Sequence, residues 1–397
     1  MAHPCRILIS TGEVSGDLQG SLLITALQTQ AQQAQLELEI VALGGNRMAA
    51  AGAQLLGNTL SLGSVGLMES LRYVWPSLRL QRQVRQYLQT HPPDLVVLID
   101  YAGVNLPMGR YLKRHFNVPI LYYIAPQAWV VSNPTKATRQ VVDLVDEVIA
   151  IFPREAQHFS ENGASVTWVG HPLVDRMQQA PTREAARSQL GIPETQTAIA
   201  LVPASRQQEI DYLLPTICAA ARQIQTQSPQ VHFWIPVSLD QYRPTILKAV
   251  EDYGLRATLT SESQLTLAAA DVAIVKSGTV NLEAALLGIP QVVLYRLHPF
   301  SYWIFRHVLR YDIPFICPVN LVTGQLTVPE LLQEQATPER VVAATLSLLK
   351  PQGRQQVLEG YEHLRKLLGE AGSVQRAAGR IVTYLINSEA TACGVSE

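Results

Sequence analysis

The residues of this chain that could do chemistry recur at one kind of place, directly after a short apolar run. Gly12-Glu13-Val14-Ser15-Gly16-Asp17 follows "ILIS", Asp100-Tyr101-Ala102 follows "LVVLI", and Pro126-Gln127-Ala128-Trp129 follows "ILYYIA". Gly170-His171-Pro172 closes another run, and Pro203-Ala204-Ser205-Arg206-Gln207-Gln208-Glu209 closes "TAIALV". Ser277-Gly278-Thr279 and Arg296 complete the set. Carboxylates and imidazole can carry protons, arginine and hydroxyl groups can hold phosphate, and a glutamate can accept from vicinal hydroxyls. One such coincidence would mean little; six together indicate a site.

The stretch Ser277 to Glu283 is the most informative. An apolar strand ends in small residues and opens a helix, so free N–H groups would suit a diphosphate at Ser277, Gly278 and Thr279. Glu283 then falls near the first turn, placed for the two hydroxyls of a ribose; the competing reading is an ordinary first-turn helix glutamate. Arg206 sits at the equivalent turn of the first strand of this half and could pair with a phosphate, against the reading of a plain surface arginine. The 12–17 turn is no G-x-G-x-x-G fingerprint and carries no Gly-Lys-Ser/Thr, so neither a dinucleotide loop nor a P-loop is supported. Gly12 and Gly16 would let the backbone approach a ligand; an ordinary tight turn is the alternative. Asp17 or Ser15 could cap the following helix, with Leu18, Leu22, Leu23 and Leu27 as its buried stripe.

These positions require strands and helices in alternation. Strands are predicted at 5–11, 38–44, 94–100, 119–125, 146–152 and 165–170, then at 197–203, 231–237, 271–277 and 291–297, with helical periodicity between them. The expected fold is α/β: two Rossmann-like, doubly wound parallel-sheet domains facing a cleft, followed by C-terminal helices. The expected boundaries are 1–171 for the first domain, 172–196 for a linker and 197–350 for the second domain. Helices at 351–387 pack back across the domains, and the tail frays from 388 to 397. At 397 residues, 47% hydrophobic and 16% charged, the chain can bury more than one core. A net charge of −1 without a basic tract gives no electrostatic case for nucleic acid. Four scattered cysteines and no ligand spacing argue for a reducing compartment and against structural zinc. The early entry into a strand and the lack of a long uncharged apolar run suggest neither a secretory leader nor a membrane span.

Taken in order, the motifs resemble those of the lipid-A-disaccharide synthase family. They are Gly-Glu-x-Ser-Gly-Asp at 12–17, Gly-Leu-x-Glu at 66–69, Ile-Asp with a nearby Asn (Asp100, Asn105), and Gly170-His171 with Asp175. Pro-x-Ser-Arg-x-x-Glu follows at 203–209, Ser-Gly-Thr-x-x-Leu-Glu at 277–283 and Tyr-Arg-x-x-Pro-Phe at 295–300. Asn-Leu-x-x-Gly begins at Asn320, ahead of Pro-Glu-Leu-Leu-Gln. The resemblance runs from about residue 7 to 385. It departs from the family at Tyr101–Val104 and at Trp129-Val-Val-Ser132.

That resemblance implies an inverting, metal-independent glycosyltransferase of the GT-B fold with no cofactor. It would join UDP-2,3-diacylglucosamine to 2,3-diacylglucosamine 1-phosphate (lipid X) through a β-1,6 bond and release UDP. Ser205, Arg206, Glu209, Ser277, Gly278, Thr279, Glu283, Arg296 and Asn320 would serve the UDP-sugar. Gly12, Ser15, Gly16, Asp17 and Gln127 would face the acceptor. A primary alcohol must lose its proton as it attacks, so Asp100 at a strand end is the candidate base. Capping the next helix or orienting the sugar are the alternatives for Asp100, with His171 or Glu13 then taking the proton. The rivals are a UDP-N-acetylglucosamine 2-epimerase-like enzyme and a non-catalytic binding relative. Because both substrates carry acyl chains, "SVGLMESLRYVWPSLRL" stands out. Its Val65, Leu67, Met68, Leu71, Val74 and Trp75 spread over two faces and could dock on the cytoplasmic face of the inner membrane, a fully buried helix being the alternative. The expected location is cytoplasmic and peripheral, with a homodimer left open.

Overall fold

A computed structural model of the protein describes residues 4–59, 74–130, 135–203, 207–237, 239–296 and 315–392. Val65, Leu67, Met68, Leu71, Ser205 and Arg206 lie outside the described residues. The chain forms two compact units. One comprises the residues up to Pro172 together with those from Leu368 onward, and the other comprises Leu173–Leu367.

The first unit holds β1 (Cys5–Ser10), β2 (Leu38–Gly44), β3 (Gln54–Asn58), β4 (Leu95–Ile99), β5 (Ile120–Tyr123), β6 (Glu147–Ala150) and β7 (Val166–Trp168). They form one sheet in the order β3-β2-β1-β4-β5-β6-β7, every pair parallel. The second unit repeats the plan with β8 (Thr197–Val202), β9 (Val231–Pro236), β10 (Ala257–Thr260), β11 (Val272–Lys276), β12 (Gln291–Tyr295) and β13 (Glu330–Leu332). Its order is β10-β9-β8-β11-β12-β13, again all parallel. In each sheet the winding reverses beside the first strand, between β1 and β4 and between β8 and β11. A crevice opens at the carboxyl ends of such neighbours, and it is there that α/β sheets hold ligands.

Central strands such as β4 are buried on both faces and read as unbroken apolar runs. The sequence pattern misses β3, β10 and β13. These are short edge strands, largely half-exposed, whose "QLLGN", "ATLT" and "ELL" need no second apolar face. The strands expected to begin at Asp94, Asp146 and Asp271 begin one residue later, for a shared physical reason. Each aspartate donates its backbone N–H to the neighbouring strand, to Arg6 O, Ile120 O and Ala198 O, each at 2.8 Å. Each carboxylate then accepts the N–H of that same residue, at 2.7 Å from Arg6, 2.8 Å from Ile120 and 2.9 Å from Ala198. A side chain thus supplies the last rung at the amino end of β1, β5 and β8.

Residues 173–196 carry two helices of the second unit, Pro172–Met177 (from Leu173 on) and Arg183–Leu190. Pro351–Leu368 belongs to that unit apart from its last residue. Ser373–Ala392 belongs to the first unit, where Arg380 grips buried Glu147 through both carboxylate oxygens at 2.8 Å.

The helix Val14–Gln33 departs from expectation in two respects. Its buried side is Gly20, Leu23, Ile24, Leu27 and Ala31, with Leu22 exposed and Leu18 only half-buried. Neither Ser15 nor Asp17 caps it; Glu13 holds the N-cap position, and its side chain makes no capping bond. Asp17 turns instead to the next helix, Asn46–Ala50. It accepts from the N–H groups of Gly45 (2.8 Å), Met48 (3.2 Å) and Arg47 (3.3 Å). Three otherwise orphaned donors thus meet one carboxylate that is almost wholly buried. We expect Asp17→Ala to lower unfolding free energy by about 1–3 kcal/mol, read as a lower midpoint in urea with UDP affinity unchanged; an unshifted midpoint would contradict this.

Candidate active site

In the first unit the candidate residues gather around the ends of β1, β4 and β5. Buried Asn105 organises them. It accepts from the Ser10 hydroxyl at 2.8 Å and donates to the carbonyls of Ile99 (2.9 Å) and Asp100 (3.0 Å). The Tyr122 hydroxyl donates to the same Asp100 carbonyl at 2.6 Å. Asp100 is held at φ 52°, in the left-handed region that aspartate tolerates better than most residues. It caps nothing: the following helix, Ala102–Phe116, has Tyr101 at its N-cap without a side-chain bond. Asp100 is partly buried as a residue, and burial raises the proton affinity of its carboxyl against the Tyr101 N–H that it accepts.

The glycines of the 12–17 turn serve packing. A Cβ on Gly12 would lie 2.2 Å from the Tyr101 ring, and one on Gly16 would lie 1.8 Å from Thr11 Oγ1. Asp17 is committed to the neighbouring helix, as above. Ser15 and Gln127 are exposed, and Glu13 is half-buried. His171 is buried with its ring 4.9 Å from that of Phe152, and burial alone lowers its pKa to about 3, so it is neutral and a weak base.

Sequence reasoning missed Glu155 altogether. This buried carboxylate accepts from Ile151 N (2.8 Å), Ala125 N (3.1 Å) and Phe152 N (3.2 Å), which joins the ends of β5 and β6. Burial raises its pKa to about 7 against those three donors. The available signal was a glutamate three residues after an apolar strand, the usual third position of a helix.

In the second unit the turn after β11 is tied from within. Ser277 Oγ donates to Ile316 O at 2.9 Å, and the Gly278 N–H, at φ 159°, is taken by Asn281 Oδ1 at 2.7 Å. A cavity of about 330 Å3 opens beside this turn, lined by Arg176, Lys276, Thr279, Glu283, Ser261 and Ser263 with apolar Val202 and Val237. That volume is at the small end of ligand sites. Glu283 meets Arg176 at 3.2 Å, and its burial raises its pKa against that guanidinium. Lys276 meets Glu209 at 3.2 Å. Lys276 and Arg176 were not singled out from the sequence, although Lys276 is a charge at the end of an apolar strand.

Arg296 and Asn320 do not line this cavity. Arg296 donates to Ala336 O at 3.0 Å and lies near Tyr212, Thr216 and Gln333 oxygens at 3.4–3.5 Å. Asn320, fully buried, bonds Thr327 N, Val328 N, Val328 O and Glu330. Among the described residues no group of three His, Cys, Asp or Glu side chains is placed to hold a metal ion.

Two doubly wound parallel sheets with strand-end sites define the GT-B class. The fold is shared with the UDP co-structure of MnaA from S. aureus (TM-score 0.65, 15% identity, 96% of this chain and 97% of that one). A glycotransferase of kitacinnamycin shares it at TM-score 0.65 and 18% identity, over 97% of this chain and all of the other. The family profile for lipid-A-disaccharide synthetase matches residues 7–380. The lipid-A-disaccharide synthase of Gloeothece citriformis is 55% identical over 96% of this chain and 100% of its own length. That of Synechocystis is 51% identical over 96% and 98%. The chain belongs to the lipid-A-disaccharide synthase family.

Proposed function

We propose that the protein transfers the diacylglucosamine of UDP-2,3-diacylglucosamine to the 6-hydroxyl of 2,3-diacylglucosamine 1-phosphate, forming the β-1,6 disaccharide and UDP. The family match across residues 7–380 carries this reading and sets the epimerase-like alternative aside, because the epimerases share only the fold. The first unit takes the acceptor and the second the UDP-sugar.

In this scheme Asp100 removes the hydroxyl proton as the oxygen attacks the anomeric carbon from the face opposite UDP. The bond from that carbon to the diphosphate oxygen breaks, UDP leaves with the electron pair, and the configuration inverts. Asp100 is favoured over His171 because it is only half-buried and has a raised proton affinity, whereas His171 is enclosed and weakly basic. Glu283 receives the ribose hydroxyls, and Lys276 and Arg176 meet the charge on the departing UDP, so no metal is required of this scheme. The diphosphate would be held by Thr279 and these cations, since the Gly278 N–H already has its acceptor.

Asp100→Asn keeps the shape of the residue and removes the base. It should fold, bind UDP normally and lose at least about a hundredfold in turnover; near-normal turnover would reassign the proton to Glu13. Glu283→Ala should weaken UDP binding about ten- to a hundredfold by calorimetry, and unchanged affinity would remove the ribose role.

No helix among the described residues is long and apolar enough to cross a membrane. We propose that Val65, Leu67, Met68, Leu71, Val74 and Trp75 rest on the inner-membrane surface from which acylated substrates are drawn. The double substitution Leu67→Ser, Met68→Ser should abolish co-sedimentation with anionic vesicles while leaving the thermal midpoint in place. A variant that still binds vesicles would exclude this docking.

A further inference from the structure

Ile124 is a strained residue of the first unit. A β-branched side chain at φ 57° lies in a region that such residues rarely adopt and that is costly to hold. It follows the end of β5, and its carbonyl accepts the Asp100 N–H at 3.1 Å, so the two left-handed residues of this unit's central strand ends are bonded to each other. Something must hold Ile124 there. Its own N–H reaches Ile149 O at a long 3.3 Å. The N–H of the next residue, Ala125, goes to the buried carboxylate of Glu155, whose other oxygen takes Ile151 and Phe152.

We infer that Glu155 is a positioning residue for the transfer reaction: through Ala125 and Ile124 it fixes the backbone of Asp100 and so the aim of its carboxylate. The three N–H bonds that Glu155 accepts are shared between two strand ends, which makes its carboxyl group a fixed post. Without it Ala125 loses its acceptor, Ile124 can relax toward the extended region, and the carbonyl opposite Asp100 moves away. Asn105 and Tyr122 hold the Asp100 carbonyl but leave its N–H side to Ile124. The inference rests on Asp100 as the base for its kinetic consequence, while its structural consequence is independent of that role.

The test uses the full chain in three forms, Glu155→Gln, Ile124→Gly and the double variant, with turnover, acceptor KM, UDP affinity and amide hydrogen exchange at Asp100 measured for each. Glu155→Gln should keep UDP affinity, lose about ten- to a hundredfold in kcat with a smaller change in KM, and exchange the Asp100 amide faster. Glycine accepts a positive φ without steric cost, so adding Ile124→Gly should return roughly fivefold of the lost kcat. A merely structural role for Glu155 would lower the thermal midpoint with kcat kept, and would show no such rescue. If Glu155→Gln does not fold, Glu155→Asp, one methylene short with its charge kept, takes its place with the same expectations. Provided Asp100→Asn is impaired, a kcat of Glu155→Gln within about twofold of the parent, or a loss that Ile124→Gly leaves undiminished, overturns the inference, as does an unchanged Asp100 exchange rate in any case. Faster Asp100 exchange in Glu155→Gln, alongside normal turnover in Asp100→Asn, would uphold the positioning and overturn only the base assignment.

Discussion

A parallel sheet covered on both faces satisfies its backbone along the strands, but every strand end leaves donors and acceptors that no neighbouring strand can meet. In this protein short polar side chains meet that demand. Asp94, Asp146 and Asp271 close the amino ends of their ladders with reciprocal backbone and carboxylate bonds. At the carboxyl ends Asn105, Glu155 and Asn281 do the corresponding work. Leaving a buried donor without a partner costs about 1–3 kcal/mol, so Asn105 and Glu155, whose bonds are buried, are constraints on the fold before they are anything else. The candidate site is built on that framework.

The division of labour between structural and chemical polar groups follows. Asp17, Asn320 and Arg296 each have their polar atoms taken by partners within their own unit. Asp100, by contrast, has its carbonyl clamped by Asn105 and Tyr122 while the residue stays partly exposed, a fixed backbone carrying an acid. Lys276 and Arg176 each face a carboxylate across or beside the same cavity. Pairs of this kind keep both charges partnered, and an anion with its hydroxyls can take the place of either partner.

Central strands, their order of appearance and the polar clusters that follow them were legible from residue types, because a strand buried on both faces must be apolar and whatever follows it must be polar. The motifs at 12–17, 100–105, 203–209 and 277–283 identified the family, and the family profile and relatives agree. Edge strands β3, β10 and β13 were not legible, since half-exposed strands need no continuous apolar run. Leu22 looked like core because it is apolar, yet the helix turns it outward: the face that packs includes Gly20 and Ala31, where small size allows close approach.

What the amino-acid sequence determines by itself is therefore the class, the two-fold repetition of α/β units and the set of residues able to do chemistry. Those depend on composition and period, which are local. Only the tertiary structure decides which polar residue is occupied and which is available, because that depends on partners distant in the chain. Asp17 finds its donors at Gly45 to Met48, Glu155 finds one of its at Ala125, and Glu283 finds Arg176 across more than a hundred residues. A carboxylate reads the same in any sequence; whether it is a cap, a post or a base is set by the donors that the fold brings to it.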